Sequence, residues 1–201
     1  MPELIHETVV TTCSADGRVH VAPMGVRYPD ERTVVLMPFK PSTTLDNVLA
    51  TRSAVLNWIT DVRVFAGCVT GRREWPTVAV TPATPGAPAV RLASALGHVP
   101  LALTELHDDV PRPVLRMARG EPVMHAPFTG FVRAQAAVLE GAVLVSRLHM
   151  LDDAKIDREF AYLQIAIDKT AGPAELEAWQ WLRDAIAKHR ANRADQPTKA
   201  P

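Results

Sequence analysis

IHETVVTTCSADGRVHVAPMGVRYPDERTVVLMPFKPSTTLDNVLATRSAVLN, residues 5–57, carries most of the information about the fold. Ile5 to Cys13 is rich in Val and Thr, the composition of a strand. Ala15-Asp16-Gly17 follows, and Asp-Gly tolerates the positive φ that a tight hairpin needs. Arg18 to Val26 resumes a strand, and Tyr28-Pro29-Asp30-Glu31 predicts the next turn. Thr33 to Phe39 is almost wholly apolar and predicts a third strand, buried on both faces. After Pro41 the period changes. Leu45, Val48 and Leu49 recur at helical spacing behind a capping box, Thr43-x-x-Asp46. Ser53 to Ile59 then returns to strand character.

Outward from this stretch, Asp61 to Val69 predicts a short amphipathic helix with Val64, Phe65 and Val69 inward. Trp75 to Pro88, rich in Pro, Thr, Ala and Gly, reads as a loop. Leu101 to Leu106 and Val114 to Met124 read as two further strands. About six strands that do not alternate with helices predict an α+β chain built on an antiparallel barrel, not a doubly wound parallel sheet. From Gly130 the pattern is helical. One helix is expected from Thr129 to Met150, with Val132, Gln135, Ala136, Leu139, Val143 and Leu148 as its stripe. Arg133, Glu140 and Arg147, seven apart, should share a face of it. A second helix should run from Asp152-Asp153 to Asp168, and a third from Pro173 to His189. The expected organisation is a barrel domain over 1–128, a helical region packed on it over 129–190, and a flexible tail over 191–201.

Composition narrows the function. Lys plus Arg and Asp plus Glu both number 22, so the formal charge is zero and the basic excess of a general nucleic-acid binder is absent. No apolar run approaches membrane-spanning length, and Met1-Pro2-Glu3 opens no signal peptide, so a cytoplasmic protein is expected. Cys13 and Cys68 lack any ligand spacing and read as reduced, buried thiols. The seven histidines show neither HxH nor HExxH, so no metal site is expected. Catalytic residues cannot be named, because no acid–base pair or nucleophile motif stands out.

The local chemistry lies in two places. Ser42-Thr43-Thr44 sets three hydroxyls at a helix start, beside unpaired amides and the positive end of the helix dipole. Such a cluster either caps the helix and does nothing more, or holds an anion, to which Lys40 could add charge. In His20-Val21-Ala22-Pro23-Met24-Gly25, Pro and Gly interrupt a strand. That interruption either protects an edge from aggregation or exposes backbone to a planar ligand. The two together favour a flat, phosphorylated ligand. Asn57 sits in an apolar run and needs a polar partner, either backbone or ligand.

These motifs resemble the DUF447 family of archaeal and bacterial proteins. Its pattern is an ETxVTT strand, a DGxxxxAPMG hairpin, a PFxxSxT…N loop and a VxNxTD strand end. Here they stand as Glu7 to Thr12, Asp16-Gly17 with Ala22 to Gly25, Pro38-Phe39 with Ser42, Thr44 and Asn47, and Val55 and Asn57 with Thr60-Asp61. GFVRAQAAVLEGAVLVSRLHML from Gly130 resembles the family's GFNRAKxAxxEAAILATRLHLL, and Asp168 to Gly172 its EKTGG. Val132 and Gln135 replace the family's Asn and Lys, Leu45 replaces an aromatic, and Val62 replaces a second Asp. The resemblance implies a six-stranded, flavin-reductase-like split β-barrel with C-terminal helices, and a homodimer binding FMN near its interface. It implies a phosphate held by Ser42, Thr43, Thr44 and Asn47, a flavin ring against Ala22, Pro23, Met24 and Gly25, and further cofactor contacts from Pro38, Phe39, Asn57 and Arg133. Members tend to occur in organisms that make or use tetrahydromethanopterin, which implies a reductase of a small, pterin-like substrate. A non-catalytic FMN-binding or structural dimer is the alternative.

Overall fold

The computed structural model describes residues 4–108 and 112–194. Strand β1 (His6–Cys13) and strand β2 (Val19–Asp30) form the expected hairpin, with Gly17 at φ 86° in its turn. β2 continues through Tyr28-Pro29 instead of turning there. A register shift between Arg27 and Asp30 absorbs the proline, whose missing N–H no regular ladder tolerates. The turn falls instead at Glu31-Arg32, where the Arg32 amide donates to Asp30 Oδ1 at 2.8 Å.

Strand β3 (Thr33–Leu36) has Val34, Val35 and Leu36 buried but stops three residues short of Phe39. Pro38 and Pro41 supply no amide to extend it. Helix α1 (Thr43–Thr51) follows and ends at Arg52, whose left-handed φ of 54° turns the chain into strand β4 (Ser53–Trp58). The Trp75–Pro88 segment is not all loop. It carries β5 (Thr77–Ala79), paired antiparallel with β6 (Val90–Leu92). A three-residue strand between Pro76 and Pro82 leaves no readable period.

Strands β7 (Gly97–His107), β8 (Val114–Arg119) and β9 (Val123–Met124) complete the sheet. Its order is β4-β1-β2-β3-β8-β7-β9, and β4 also pairs with β7. Six strands therefore close into an antiparallel barrel, with β9 as an extra strand beside β7. Val10, Val26, Leu36, Leu56, Leu101 and Leu115 lie fully buried in its core, each worth about 1.5–3 kcal/mol of burial.

The chain divides into two compact units. The barrel unit comprises residues up to Thr60 and Arg73–Phe128. The helical unit takes in Asp61–Arg72 and the chain from Thr129, so helix α2 (Arg63–Val69) belongs to it. Val64 and Phe65 are buried as expected, and Val69 is half-buried. The other helices are α3 (Arg133–Val145), α4 (Asp153–Thr170) and α5 (Pro173–Ala194).

Helix α3 is shorter than expected, and its inward stripe differs. The buried residues are Ala134, Ala137, Val138, Gly141, Ala142 and Val145. Small residues win this face because the partners approach closely: a Cβ on Gly141 would meet Trp179 at 2.9 Å and Leu182 at 3.0 Å. Past Ser146 the bonds become i→i−3, as in Arg147 N to Leu144 O. Arg147 therefore leaves the helix and shares no helical face with Arg133 and Glu140. Asp152 caps α4 as expected, accepting from the Lys155 amide at 2.6 Å. Helix α5 runs five residues beyond His189, so part of the expected tail is helical, and residues 195–201 lie outside the described ones. No helix among the described residues is long and apolar enough to cross a membrane.

Candidate functional site

β2 is bonded to β1 along the whole of Val19–Val26, but it meets β3 only at Arg27 and Asp30. On its other side, therefore, Ala22 to Gly25 has no neighbouring strand. A cavity of about 370 Å3 lies against this open edge. One wall is His20 and Ala22 to Gly25. A second is Met37, Pro38 and Phe39, and the third is Pro41 and Ser42 to Thr44, with Arg112 arriving from the segment before β8.

The third wall is the start of α1. Ser42, not Thr43, is its cap, in extended conformation with Oγ accepting from the Leu45 amide at 3.1 Å. Ser42 O also accepts the Asp46 amide, at 3.0 Å, so the cap lies one residue earlier than expected and Leu45 stands where a reciprocal box would need an acid. Thr43 and Thr44 are then the first two helical residues, whose amides no helical carbonyl reaches. Both residues line the cavity.

Electrostatics complete the picture. The Arg112 guanidinium lies 4.1 Å from the centre of the Phe39 ring, and its Nη2 donates to Met37 O at 2.9 Å. Burial, aided by the Arg73 charge, holds the His20 imidazole below its usual pKa and therefore neutral near pH 7. Lys40, expected to add charge, pairs with Asp108. Among the described lining residues Arg112 is the single full charge, and none is a carboxylate.

Of the residues that the sequence put forward, Ala22, Pro23, Met24, Gly25, Pro38, Phe39, Ser42, Thr43 and Thr44 converge on this cavity. Asn47 and Asn57 do not line it. Asn47 is buried, and its Nδ2 donates to Thr12 Oγ1 at 3.0 Å, fastening α1 to β1. Asn57 is completely buried. Its Nδ2 lies 3.2 Å from Val9 O, 3.2 Å from Thr11 Oγ1 and 3.1 Å from Val55 O. Its Oδ1 accepts the Leu92 amide at 2.8 Å. Its polar partner is thus protein, and it ties β6 to the barrel wall. Arg133 is exposed at the start of α3, in the helical unit, where it lines a groove with Glu140 and Tyr162. Asp61, also in that unit, grips Arg63 with both oxygens, at 2.8 and 2.9 Å.

Four lining residues stood outside the expected contact set: His20, Met37, Pro41 and Arg112. His20 was findable, since it lies two positions before Ala22 on the same strand face. Arg112 carried no local signal, because only the pairing of β8 into the barrel brings it here.

Comparison with known proteins agrees with this architecture. The FMN-bound DUF447 protein from Methanosarcina mazei superposes with a TM-score of 0.77 over 92% of this chain and 96% of its own, at 21% identity. Flavoredoxin from Methanosarcina acetivorans gives 0.50 over 60% of this chain and 69% of its own, at 8% identity. The styrene monooxygenase flavin reductase of Pseudomonas putida S12 gives 0.47 over 61% and 82%, at 12% identity. No curated protein matches the sequence. The model of the DUF447 N-terminal domain, a protein of unknown function, matches residues 6–126, and that of the DUF447 C-terminal domain matches 132–184. The chain therefore belongs to the DUF447 family.

Proposed function

We propose that the barrel unit binds FMN in the cavity between β2 and the start of α1. The observation that carries this reading is the convergence of an unpaired strand edge, two orphan helical amides and a lone arginine in one cavity. The donor set fits the cofactor. Ser42, Thr43 and Thr44 suit a phosphate, and Arg112 adds a fixed positive charge. The open backbone of Ala22 to Gly25 can meet the flavin ring's hydrogen-bonding edge, with Met24 and Phe39 offering apolar contact. The cavity volume falls within the range of small-ligand sites. The FMN bound by the Methanosarcina mazei protein supports the assignment.

Bound FMN would supply hydride or single-electron chemistry. The chain's own part would be to bind and orient it and to set the charge around it, which accounts for a lining without an acid–base pair. Neutral His20 would add no charge to that of Arg112. On this reading the protein is a flavin-dependent reductase of a small molecule and works as a homodimer. A pterin-like substrate and a link to tetrahydromethanopterin metabolism follow from the family resemblance.

The test is titration of purified protein with FMN, followed by flavin fluorescence. Ser42→Ala should weaken binding by about 1–3 kcal/mol, the value of a lost hydrogen bond to a charged group. Unchanged affinity in folded Ser42→Ala would remove the phosphate from this position. Catalysed reduction of the bound flavin by NADH or NADPH would support the reductase reading. Its absence with every donor tried would favour a binding module.

A further inference from the structure

The barrel unit holds a second, larger cavity, of about 740 Å3, that the flavin reading does not use. It lies between the arm at Ala79–Ala83, the outward residues His98 and Pro100 of β7, and Gly120 to Val123. Its walls are mostly aliphatic, through Val80, Pro82, Ala83, Pro100 and Val123. Close backbone approach builds it: the Gly120 amide donates to Pro100 O at 2.9 Å, and a Cβ on Gly97 would meet Met124 at 2.7 Å.

The buried polar feature of this wall is His98, only 4% exposed. Its Nδ1 lies 2.8 Å from His125 Nε2. The two ring planes are 3° apart with centroids 5.0 Å apart. Nitrogens this close cannot belong to rings stacked face on face, because the planes would then lie inside van der Waals contact. The rings meet edge to edge, nearly coplanar, through an in-line N···N hydrogen bond. Both are held by backbone: His98 pairs with Val123 and Asn57, and the His125 amide donates to Leu96 O at 2.7 Å. His98 is buried in the cavity wall, whereas His125 is exposed.

We propose that this cavity is a second small-molecule site, for an apolar-bodied ligand with one exchangeable O–H or N–H, and that His98 and His125 relay its proton to solvent. With Nδ1 taken by His125, Nε2 is the His98 nitrogen left for a ligand. A neutral imidazole that donates through Nδ1 accepts at Nε2. The proton leaves the ligand for His98 Nε2, the Nδ1 proton passes to His125 Nε2, and the His125 Nδ1 proton passes to water. One proton moves from ligand to bulk, both rings end neutral with their tautomers exchanged, and no electron is transferred. Nearby charges suit this traffic. Burial and Arg91 both disfavour a lasting positive charge on either ring. The inference stands independently of the flavin site.

The test uses 4-nitrophenol, a flat phenol whose absorption reports its ionisation, with the full chain. Saturable binding is expected, weakened at least tenfold by Val123→Trp and by Ala83→Trp, which fill the cavity from two sides. Far-UV circular dichroism checks that each variant folds. Long-range proton–nitrogen NMR of the imidazoles should show the ring nitrogens of His98 and His125 shifting together on binding. Absence of saturable binding to the native chain, or equal affinity in both filled variants, would overturn the site. A His98 response with unmoved His125 nitrogens would overturn the relay.

Discussion

Replacing Asn57 with Ala separates a structural node from a ligand contact. The native side chain offers two N–H hydrogens to three acceptors, Val9 O, Thr11 Oγ1 and Val55 O, and accepts the Leu92 amide. Alanine leaves the Leu92 N–H, on a residue 1% exposed, with no acceptor. An unsatisfied buried donor costs about 1–3 kcal/mol. The three oxygens lose one partner each, and the truncation leaves a void in a fully buried position, together adding about 1 kcal/mol. The expected loss is therefore about 2–4 kcal/mol, a large share of the roughly 5–15 kcal/mol that stabilises a typical native protein. Urea unfolding measures it as a lower midpoint at an unchanged slope. Faster amide exchange at Leu92 should accompany it, because that hydrogen bond ties β6 to the barrel. FMN affinity of the folded variant should match the native value. A stability change under about 0.5 kcal/mol, joined to a loss of FMN affinity, would refute the structural role.

Two further outcomes follow from the geometry. Gly141→Val sets a branched side chain against Trp179 and Leu182 and should lower helical-unit stability by about 1–3 kcal/mol, read by thermal unfolding; an unchanged melting curve would mean that α3 does not pack as described. His20, His98 and His125 each have a pKa below the ordinary 6.5, chiefly through desolvation. The unfolded chain then binds more protons than the native one, so stability is complete above about pH 6.5 and falls as the pH drops below it. Urea midpoints across that range should show the decline, and His98→Gln should flatten it; a midpoint that rises on acidification would contradict the assignment.

Legibility in the sequence followed the range of the interactions. The β1–β2 hairpin was readable because Asp16-Gly17 encodes its turn locally, and α1 because its hydroxyl cluster and apolar period are contiguous, although the cap was read one residue late. Thr33–Phe39 was overextended since apolarity continues past the point where prolines end the ladder. The α3 stripe was misplaced because Leu139 and Leu148 were given the buried face, whereas close packing of Gly141 on Trp179 leaves it to Ala, Gly and Val. At the candidate site, residues on β2 and at the start of α1 were visible as motifs. Arg112 was not, for its place depends on barrel closure. Asn57 was correctly seen to need a partner, but only the fold shows that Leu92, 35 residues later, supplies it.

The central claim is that the β2–α1 cavity holds FMN, and reconstitution tests it most directly. Purified protein should bind FMN saturably at one per chain, with quenched or shifted flavin fluorescence, and Arg112→Ala should weaken that binding while leaving the urea midpoint close to native. Protein that remains colourless after FMN is added, or that binds it equally well with Ser42 and Arg112 both replaced by Ala, would contradict the account.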